Sequence, residues 1–253
     1  MLKESLKNGS FAIGTWCDLP SPAVINVLSK AGLDFVIIDM EHGPMDFKVA
    51  QEMAFAAESE GKEALIRVPR LDESDILRAL DSGASGIIVP HIETVKDREN
   101  VIKFSKYPPS GNRGFNPYVR CGGYKRPEKD YCDVQNKNNL IGLMLEGRQA
   151  LNDLERIIDD PGVDIVYIGT YDLSVALGLG GDISHPDVIK QLESAVSKIK
   201  KAGKIAGCMI HDSAGLKRFK ELGIQFICYK VDSAMIHDAV SGIIQELKND
   251  RAI

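Results

Sequence analysis

Two acidic residues in this chain each close an apolar run: Leu140-Ile-Gly-Leu-Met-Leu-Glu146 and Val163-Asp-Ile-Val-Tyr-Ile-Gly-Thr-Tyr-Asp172. The runs read as neighbouring strands, which lie roughly 5 Å apart in a sheet, so Glu146 and Asp172 could converge on one hard cation. Carboxylates brought together repel unless a proton or a metal separates them. Oxygen ligands favour Mg²⁺-like ions. The expected chemistry is that of a divalent ion at the mouth of a barrel, Mg²⁺ or Mn²⁺, with Co²⁺ or Zn²⁺ as alternatives. The bland alternatives are a salt-bridge acid for Glu146 and a helix cap for Asp172, which precedes a helix-like stretch.

Eight short apolar runs supply the elements that would position such a pair: 11–16, 35–39, 64–68, 86–90, 140–146, 163–168, 205–210 and 225–231. They are nearly continuously hydrophobic rather than alternating, as parallel strands buried on both faces require. Amphipathic helical segments separate most of them, at 21–31, 47–60, 72–82, 94–105, 151–159, 186–202, 214–222 and 234–249. Several end in a glycine turn (Gly32, Gly83, Gly203, Gly223), which suits the left-handed position after a helix. Eight βα units in 253 residues predict one (β/α)₈ TIM barrel over 1–253, an α/β fold of a single domain. A doubly wound open sheet is the alternative, weakened because no glycine-rich dinucleotide fingerprint follows the first strand.

In barrels the active site forms at the carboxyl ends of the strands. Those positions carry Trp16, Asp18, Glu41, His42, Arg67, His91, Glu93, Glu146, Asp172, His211, Asp212 and Asp232. The set is rich in metal ligands and bases and poor in nucleophile–base pairs. The loops after the last two strands lack a glycine-rich phosphate cradle, which disfavours phosphorylated substrates. One connection, 107–139, is long and rich in Pro, Gly, Arg and aromatics, with Phe115, Tyr118, Arg120 and Tyr124. Such segments are often lids or binding loops, so it is expected to cover the catalytic face or to pack against another subunit.

Composition excludes other classes. The formal net charge is −5 with both signs mixed along the chain, so neither nucleic acid nor a membrane is an expected partner. The polar amino terminus does not resemble a signal peptide. Five scattered cysteines without a close CxxC pair read as reduced thiols in a cytoplasmic protein.

Several short motifs occur in order: Ile-Ile-Asp39-Met-Glu41-His42-Gly-Pro, Ile66-Arg67-Val-Pro, Leu80-Asp81-Ser-Gly-Ala84, Val89-Pro90, Tyr107-Pro-Pro-Ser-Gly-Asn-Arg113-Gly114, Leu145-Glu146 and Ile168-Gly169-Thr-Tyr-Asp172-Leu-Ser174. Together they resemble the HpcH/HpaI aldolases, the class II pyruvate aldolases of the phosphoenolpyruvate/pyruvate barrel superfamily. The resemblance runs from about Leu6 to Leu247. It implies a metal-dependent carbon–carbon lyase that makes or splits 4-hydroxy-2-oxo acids, with pyruvate and an aldehyde as the small-molecule partners. It also implies a homo-oligomer, a hexamer with the last helix exchanged between barrels.

Carried over residue by residue, the resemblance makes Glu146 and Asp172 the metal ligands and His42 the catalytic base, with Asp81 as its carboxylate partner. Arg67 would face the keto oxygen, and backbone amides around Gly169, Thr170, Tyr171 and Asp172 would hold the substrate carboxylate. A histidine titrates near neutrality, so His42 could take the C4 hydroxyl proton, directly or through a water. Structural alternatives stand beside these roles: His42 as a turn residue, Arg67 paired with Asp39 or Asp72, Glu41 bracing His42 or reaching a water on the metal, and His91 facing the mouth or structural. Asp81 closes a helix, where an acid opposes the dipole, which points to a specific partner. Arg113 reads as structural or interfacial, and Arg120 as a weaker candidate for a distal substrate carboxylate.

Three positions depart from the family pattern: Met144 where glutamine is common, Tyr171 where a small residue is common and Lys230 where glycine is usual. They bear on the aldehyde partner, left open among succinic semialdehyde, tartronate semialdehyde, glyceraldehyde and simpler aldehydes. Rival functions are a Schiff-base aldolase using Lys230, which would need a desolvated amine, a citryl- or malyl-CoA-type lyase on the same barrel, and a non-catalytic barrel.

Overall fold

The computed structural model describes residues 1–251, so the last two residues of the expected 1–253 domain lie outside the description. Eight parallel strands close on themselves: β1 (Ala12–Cys17), β2 (Phe35–Asp39), β3 (Glu63–Arg67), β4 (Gly86–Val89), β5 (Leu140–Leu145), β6 (Ile165–Ile168), β7 (Ile205–Ile210) and β8 (Phe226–Val231). Each lies within two residues of its expected place, because a run buried on both faces leaves a continuous apolar signature. The barrel is closed by β1 on β8, with Ala12 opposite Phe226 and Trp16 opposite Val231.

Side chains alternate between two cores, following the period of two along a strand. On β2, Val36 and Ile38 pack outward under the helices, while Phe35 and Ile37 point into the barrel. Phe35 stacks on Phe226 with ring centroids 3.9 Å apart and fills the lower interior. Gly14 admits that ring: a Cβ there would stand 2.4 Å from Phe35 atoms. The short amino-terminal helix Leu2–Lys7 plugs the barrel floor with Leu2 and Leu6. Its Lys3 is tied to Asp164 at 2.7 Å. The floor is therefore sealed, and the opening lies at the other end.

The eight expected helices are present, with the 151–159 segment broken into Arg148–Asn152 and Leu154–Ile157. The helix-like stretch after Asp172 is the helix Thr170–Ala176, and Tyr131–Asn138 was not placed from the sequence. No helix among the described residues is long and apolar enough to cross a membrane. The 107–139 connection does not cover the catalytic face. It leaves the end of Val95–Ser105 and returns to the start of β5, so it lies at the amino-terminal rim. There Arg120 is paired with Glu58 and donates to the Ser82 carbonyl, which rules it out as a cavity arginine in its own chain.

Candidate active site

The carboxyl ends of the strands enclose a cavity of about 460 Å³ lined by Trp16, Asp18, Asp39, His42, Arg67, Met144, Glu146, Tyr167, Gly169, Tyr171, Asp172, Met209, His211, Lys230, Val231, Ala234 and Asp238. Arg67 is its fixed centre. In the β2–β3 ladder Arg67 stands opposite Asp39. Its Nε donates to Asp39 Oδ1 at 2.8 Å, and its Nη2 pairs with Asp39 Oδ2. Nη1 lies 2.9 Å from Glu41 Oε2 and 3.6 Å from the Met144 sulfur, and the guanidinium stacks 4.6 Å over the Trp16 ring. Trp16 is itself held by an indole bond to the Tyr167 hydroxyl at 2.9 Å. Such a fork, bonded to Asp39 through two nitrogens and facing Glu41 with the third, is geometry that lysine cannot reproduce. Burial opposes the charge on Asp39, but its bonds and attraction to Arg67, with the amides of Glu41 and His42, outweigh it and hold the carboxyl below its ordinary value. Asp72 caps its own helix instead.

Glu146 is 8% exposed. Burial raises its pKa above the usual glutamate value; His91 opposes this, while the negative charges of Asp172 and Glu41 add to it. His91 lies between two acids, its Nε2 2.7 Å from Glu41 Oε1 and its Nδ1 2.9 Å from Glu146 Oε2. The second approach lacks hydrogen-bonding geometry, so the buried Glu146 Oε2 has no hydrogen-bond donor. Gly169 leaves room beside this carboxylate, where a Cβ would meet Glu146 Cγ at 2.9 Å. A buried, donorless oxygen among like charges fits a divalent cation better than it fits any side chain present. Among the described residues no three His, Cys, Asp or Glu groups form a ready-made metal site. The fit therefore rests on the two carboxylates, with room for substrate and water oxygens, the mode in which Mg²⁺ is commonly held.

Asp172 lies in the first turn of Thr170–Ala176, whose N-cap is Gly169, and makes no side-chain cap, so the capping alternative is not realised. The Gly169 amide is spent on the Leu145 carbonyl at 3.2 Å. The amides that begin the helix, Thr170 to Asp172, lack intrahelical acceptors. Thr170 turns its side chain toward the buried Cys208, while Tyr171 faces the cavity beside His211, with Tyr171 Oη 3.4 Å from His211 Nε2.

His42 lines the cavity from the β2–α turn and is exposed. Asp81 is not brought to it within the chain. Asp81 ends Glu73–Asp81, on the amino-terminal side of β4, where it accepts from Arg113 Nη2 at 2.7 Å. The partner implied by its place at a helix end is thus Arg113, whose side chain is fully buried.

Asp39, Tyr167, Met209, Val231, Ala234 and Asp238 complete the cavity and were not among the expected site residues. Asp39 carried a readable signal, an acid closing the apolar Phe35-Val-Ile-Ile run. Asp238 carried none, because it reaches the mouth only through the path of the final helix, Asp232–Arg251. Lys230 adopts φ +51°, a left-handed conformation that glycine takes without strain, which accounts for the usual glycine there. Its ammonium is 2.7 Å from Asp238, and that hydrogen bond raises its pKa above the usual lysine value. A Schiff-base amine needs the reverse.

The chain matches the family model for HpcH/HpaI aldolase/citrate lyase over residues 12–239. It is 33% identical to a hydroxypyruvate/pyruvate aldolase of Paraburkholderia phytofirmans over 98% of this chain and 97% of that protein. It is 32% identical to a 4-hydroxy-2-oxo-heptane-1,7-dioate aldolase of Klebsiella pneumoniae over 92% and 88% respectively. The crystal structure of an HpcH/HpaI aldolase from Desulfitobacterium hafniense superimposes with a TM-score of 0.93 at 27% identity, covering 98% of this chain and 96% of that one.

Proposed function

The chain belongs to the HpcH/HpaI aldolase/citrate lyase family, and from that premise we propose that it is a divalent-metal-dependent pyruvate aldolase that splits or forms 4-hydroxy-2-oxo acids. The observation that carries this reading is the donorless, buried Glu146 oxygen in the cavity shared with Asp172 and the clamped Arg67. Mg²⁺ or Mn²⁺ held by Glu146 and Asp172 would supply Lewis-acid stabilisation of the negative charge that develops on the 2-oxo acid. Arg67 adds a fixed positive charge toward the keto oxygen, oriented beforehand by Asp39 and Glu41, which is the kind of preorganised electrostatics that lowers a barrier. The open amides of Thr170, Tyr171 and Asp172 receive the substrate carboxylate. His42 removes the C4 hydroxyl proton; the C3–C4 bond breaks toward C3, the aldehyde leaves, and the proton returns to C3 to give pyruvate. Trp16 and Tyr167 wall off the floor of the cavity. A lactate-dehydrogenase-coupled assay of pyruvate release tests the reading over a panel of 4-hydroxy-2-oxo acids. Turnover is expected with Mg²⁺ or Mn²⁺ and its loss after chelation; full activity in demetallated protein would overturn it.

The same reading makes the protein a cytoplasmic homo-oligomer, a hexamer as in its family. The five free cysteines suit a reducing compartment. The final helix exposes Ile236, Val240, Ile243, Ile244 and Leu247 at spacings that put them on one face, which a second copy would cover. Asp81 could meet His42 only from such a copy. Light scattering should give a multiple of 27.7 kDa, and Val240→Glu with Ile243→Glu should reduce it toward the monomer; a monomeric parent protein would remove this part.

A further inference from the structure

A second cavity, of about 490 Å³, lies at the amino-terminal end of the barrel, opposite the catalytic one. It opens between the amino-terminal helix, the segment after Val95–Ser105, the helix Tyr131–Asn138 and the turn that enters β6. Four ammonium groups line it, those of Lys3, Lys7, Lys106 and Lys137, against two carboxylates, those of Asp160 and Asp164. Both carboxylates are engaged. Asp164 is shared by Lys3 at 2.7 Å and Lys7 at 3.1 Å, and Asp160 is paired with Arg98. Among the described residues Lys106 and Lys137 are therefore left without a carboxylate partner.

Lys106 is the telling group. It is 5% exposed, and a buried ammonium ordinarily has a counter-charge. Its Nζ donates to the Asn136 carbonyl at 2.7 Å, which leaves two of its three protons free. Burial, with the positive charges of Lys3, Lys7 and Arg113, pulls its pKa down to about 8 against the attraction of Asp164. It is still mostly protonated at neutral pH. The free carbonyls at the end of Tyr131–Asn138 attract cations, which accounts for this bond and for that of Lys3 to the Asn139 carbonyl at 2.9 Å. Roughly half an elementary charge at a helix end does not balance two unpaired ammonium groups.

We propose that this cavity binds a small phosphate monoester, its phosphoryl group neutralised by Lys106 and Lys137 and its organic part set against Ile102 and Pro161. The lining favours a phosphoryl group over a carboxylate. No arginine fork lines the cavity among the described residues, whereas lysine serves phosphate as a point charge. Ser110 adds a hydroxyl donor. The volume is within the range of small-molecule sites and exceeds what a free phosphate ion fills. The site stands apart from the strand ends, so it does not depend on the aldolase reading.

The experiment is calorimetric titration of the metal-loaded, full-length protein with glycerol 3-phosphate, inorganic phosphate and succinate at low ionic strength. Glycerol 3-phosphate is expected to saturate one site per chain and to bind more tightly than succinate by about tenfold or more. Lys106→Met, which keeps the buried stem, should weaken the ester by about tenfold or more. Lys137→Gln, at an exposed position where the fold is not at stake, should weaken it as well. The ester should raise the melting temperature of the parent and leave that of Lys106→Met unmoved. Inorganic phosphate separates the sources: affinity equal to that of the ester supports the phosphoryl site with the free ion as its occupant. The inference is overturned by the absence of saturable binding, by succinate binding as tightly as the ester, or by unchanged affinity in both lysine variants. Binding kept in Lys106→Met and lost in Arg67→Met would place the ester in the catalytic cavity and overturn it too.

Discussion

Glu146→Gln is expected to lose turnover by about a thousandfold or more, because several kcal/mol of charge stabilisation go with the metal, while the metal-free protein stays at least as stable as its parent. The two signs differ for one reason. In the parent, Glu146 is buried with an oxygen that no donor satisfies, and its ionisation is opposed by burial and by Asp172 and Glu41. Its folded pKa is raised, so ionisation detracts from stability as pH rises through and above the unfolded value. Glutamine removes that burden and keeps the shape beside Gly169. A ligand that binds only the folded state raises its melting temperature, so Mn²⁺ should stabilise the parent and leave Glu146→Gln unmoved. Thermal melts with and without Mn²⁺, beside the pyruvate-release assay, check both halves. A Gln variant that retains Mn²⁺ stabilisation and turnover would remove Glu146 from the metal site. Strain kept where chemistry happens is a common pattern in enzymes, and His91 and Lys230, both at positive φ near this mouth, conform to it.

The barrel was readable because each strand is apolar on both faces and each helix is apolar on one. Both periods survive in the sequence without any knowledge of contacts. The strand ends then named most of the cavity, since a barrel can place its chemistry only there. Spacing could not say which strand-end acid faces which base. Asp81 stood out as an acid at a helix end, yet its neighbour within the chain is Arg113, because a helix feeding β4 ends at the amino-terminal rim while His42 follows β2 at the other, so that only a second copy could bring the two together. The same topology governs 107–139: a connection from helix to strand belongs to the floor of the barrel, whereas its length and composition suggested a lid or a subunit contact. Asp238 was hidden for a different reason, since it enters the cavity through the direction of a terminal helix that no local pattern specifies.

Arg67→Met is expected to cut kcat by about 10²–10³, the usual loss when one preorganised donor to a developing oxyanion is removed, and to cost about 3–5 kcal/mol of stability. The stability cost is large because the change leaves Asp39, 2% exposed, without the guanidinium that outweighs its burial. Glu41 retains His91 at 2.7 Å, so Asp39 carries most of the penalty. The pH dependence follows from the sign of each shift. In the parent, Asp39 has a lowered pKa, so its contribution is present above the unfolded value and lost only as pH falls through the folded one. In the variant, burial prevails and the pKa rises, so the carboxyl detracts increasingly as pH climbs past its unfolded value of about 3.9. The deficit relative to the parent should therefore be greater at about pH 8 than at about pH 5. Asp18, already raised to about 6 by burial and by the charges of Asp39 and Asp232, should become easier to ionise as Asp39 takes up a proton, which blunts part of that slope. Asp39→Asn in the same background would leave a neutral pair of similar shape and recover much of the stability, but not kcat, because the positive charge would still be missing. Urea titrations of the three proteins at both pH values, with kcat measured beside them, separate the roles. Recovery of kcat in the double variant would show that Arg67 serves only to neutralise Asp39. Continued loss would place its charge on the reacting oxygen.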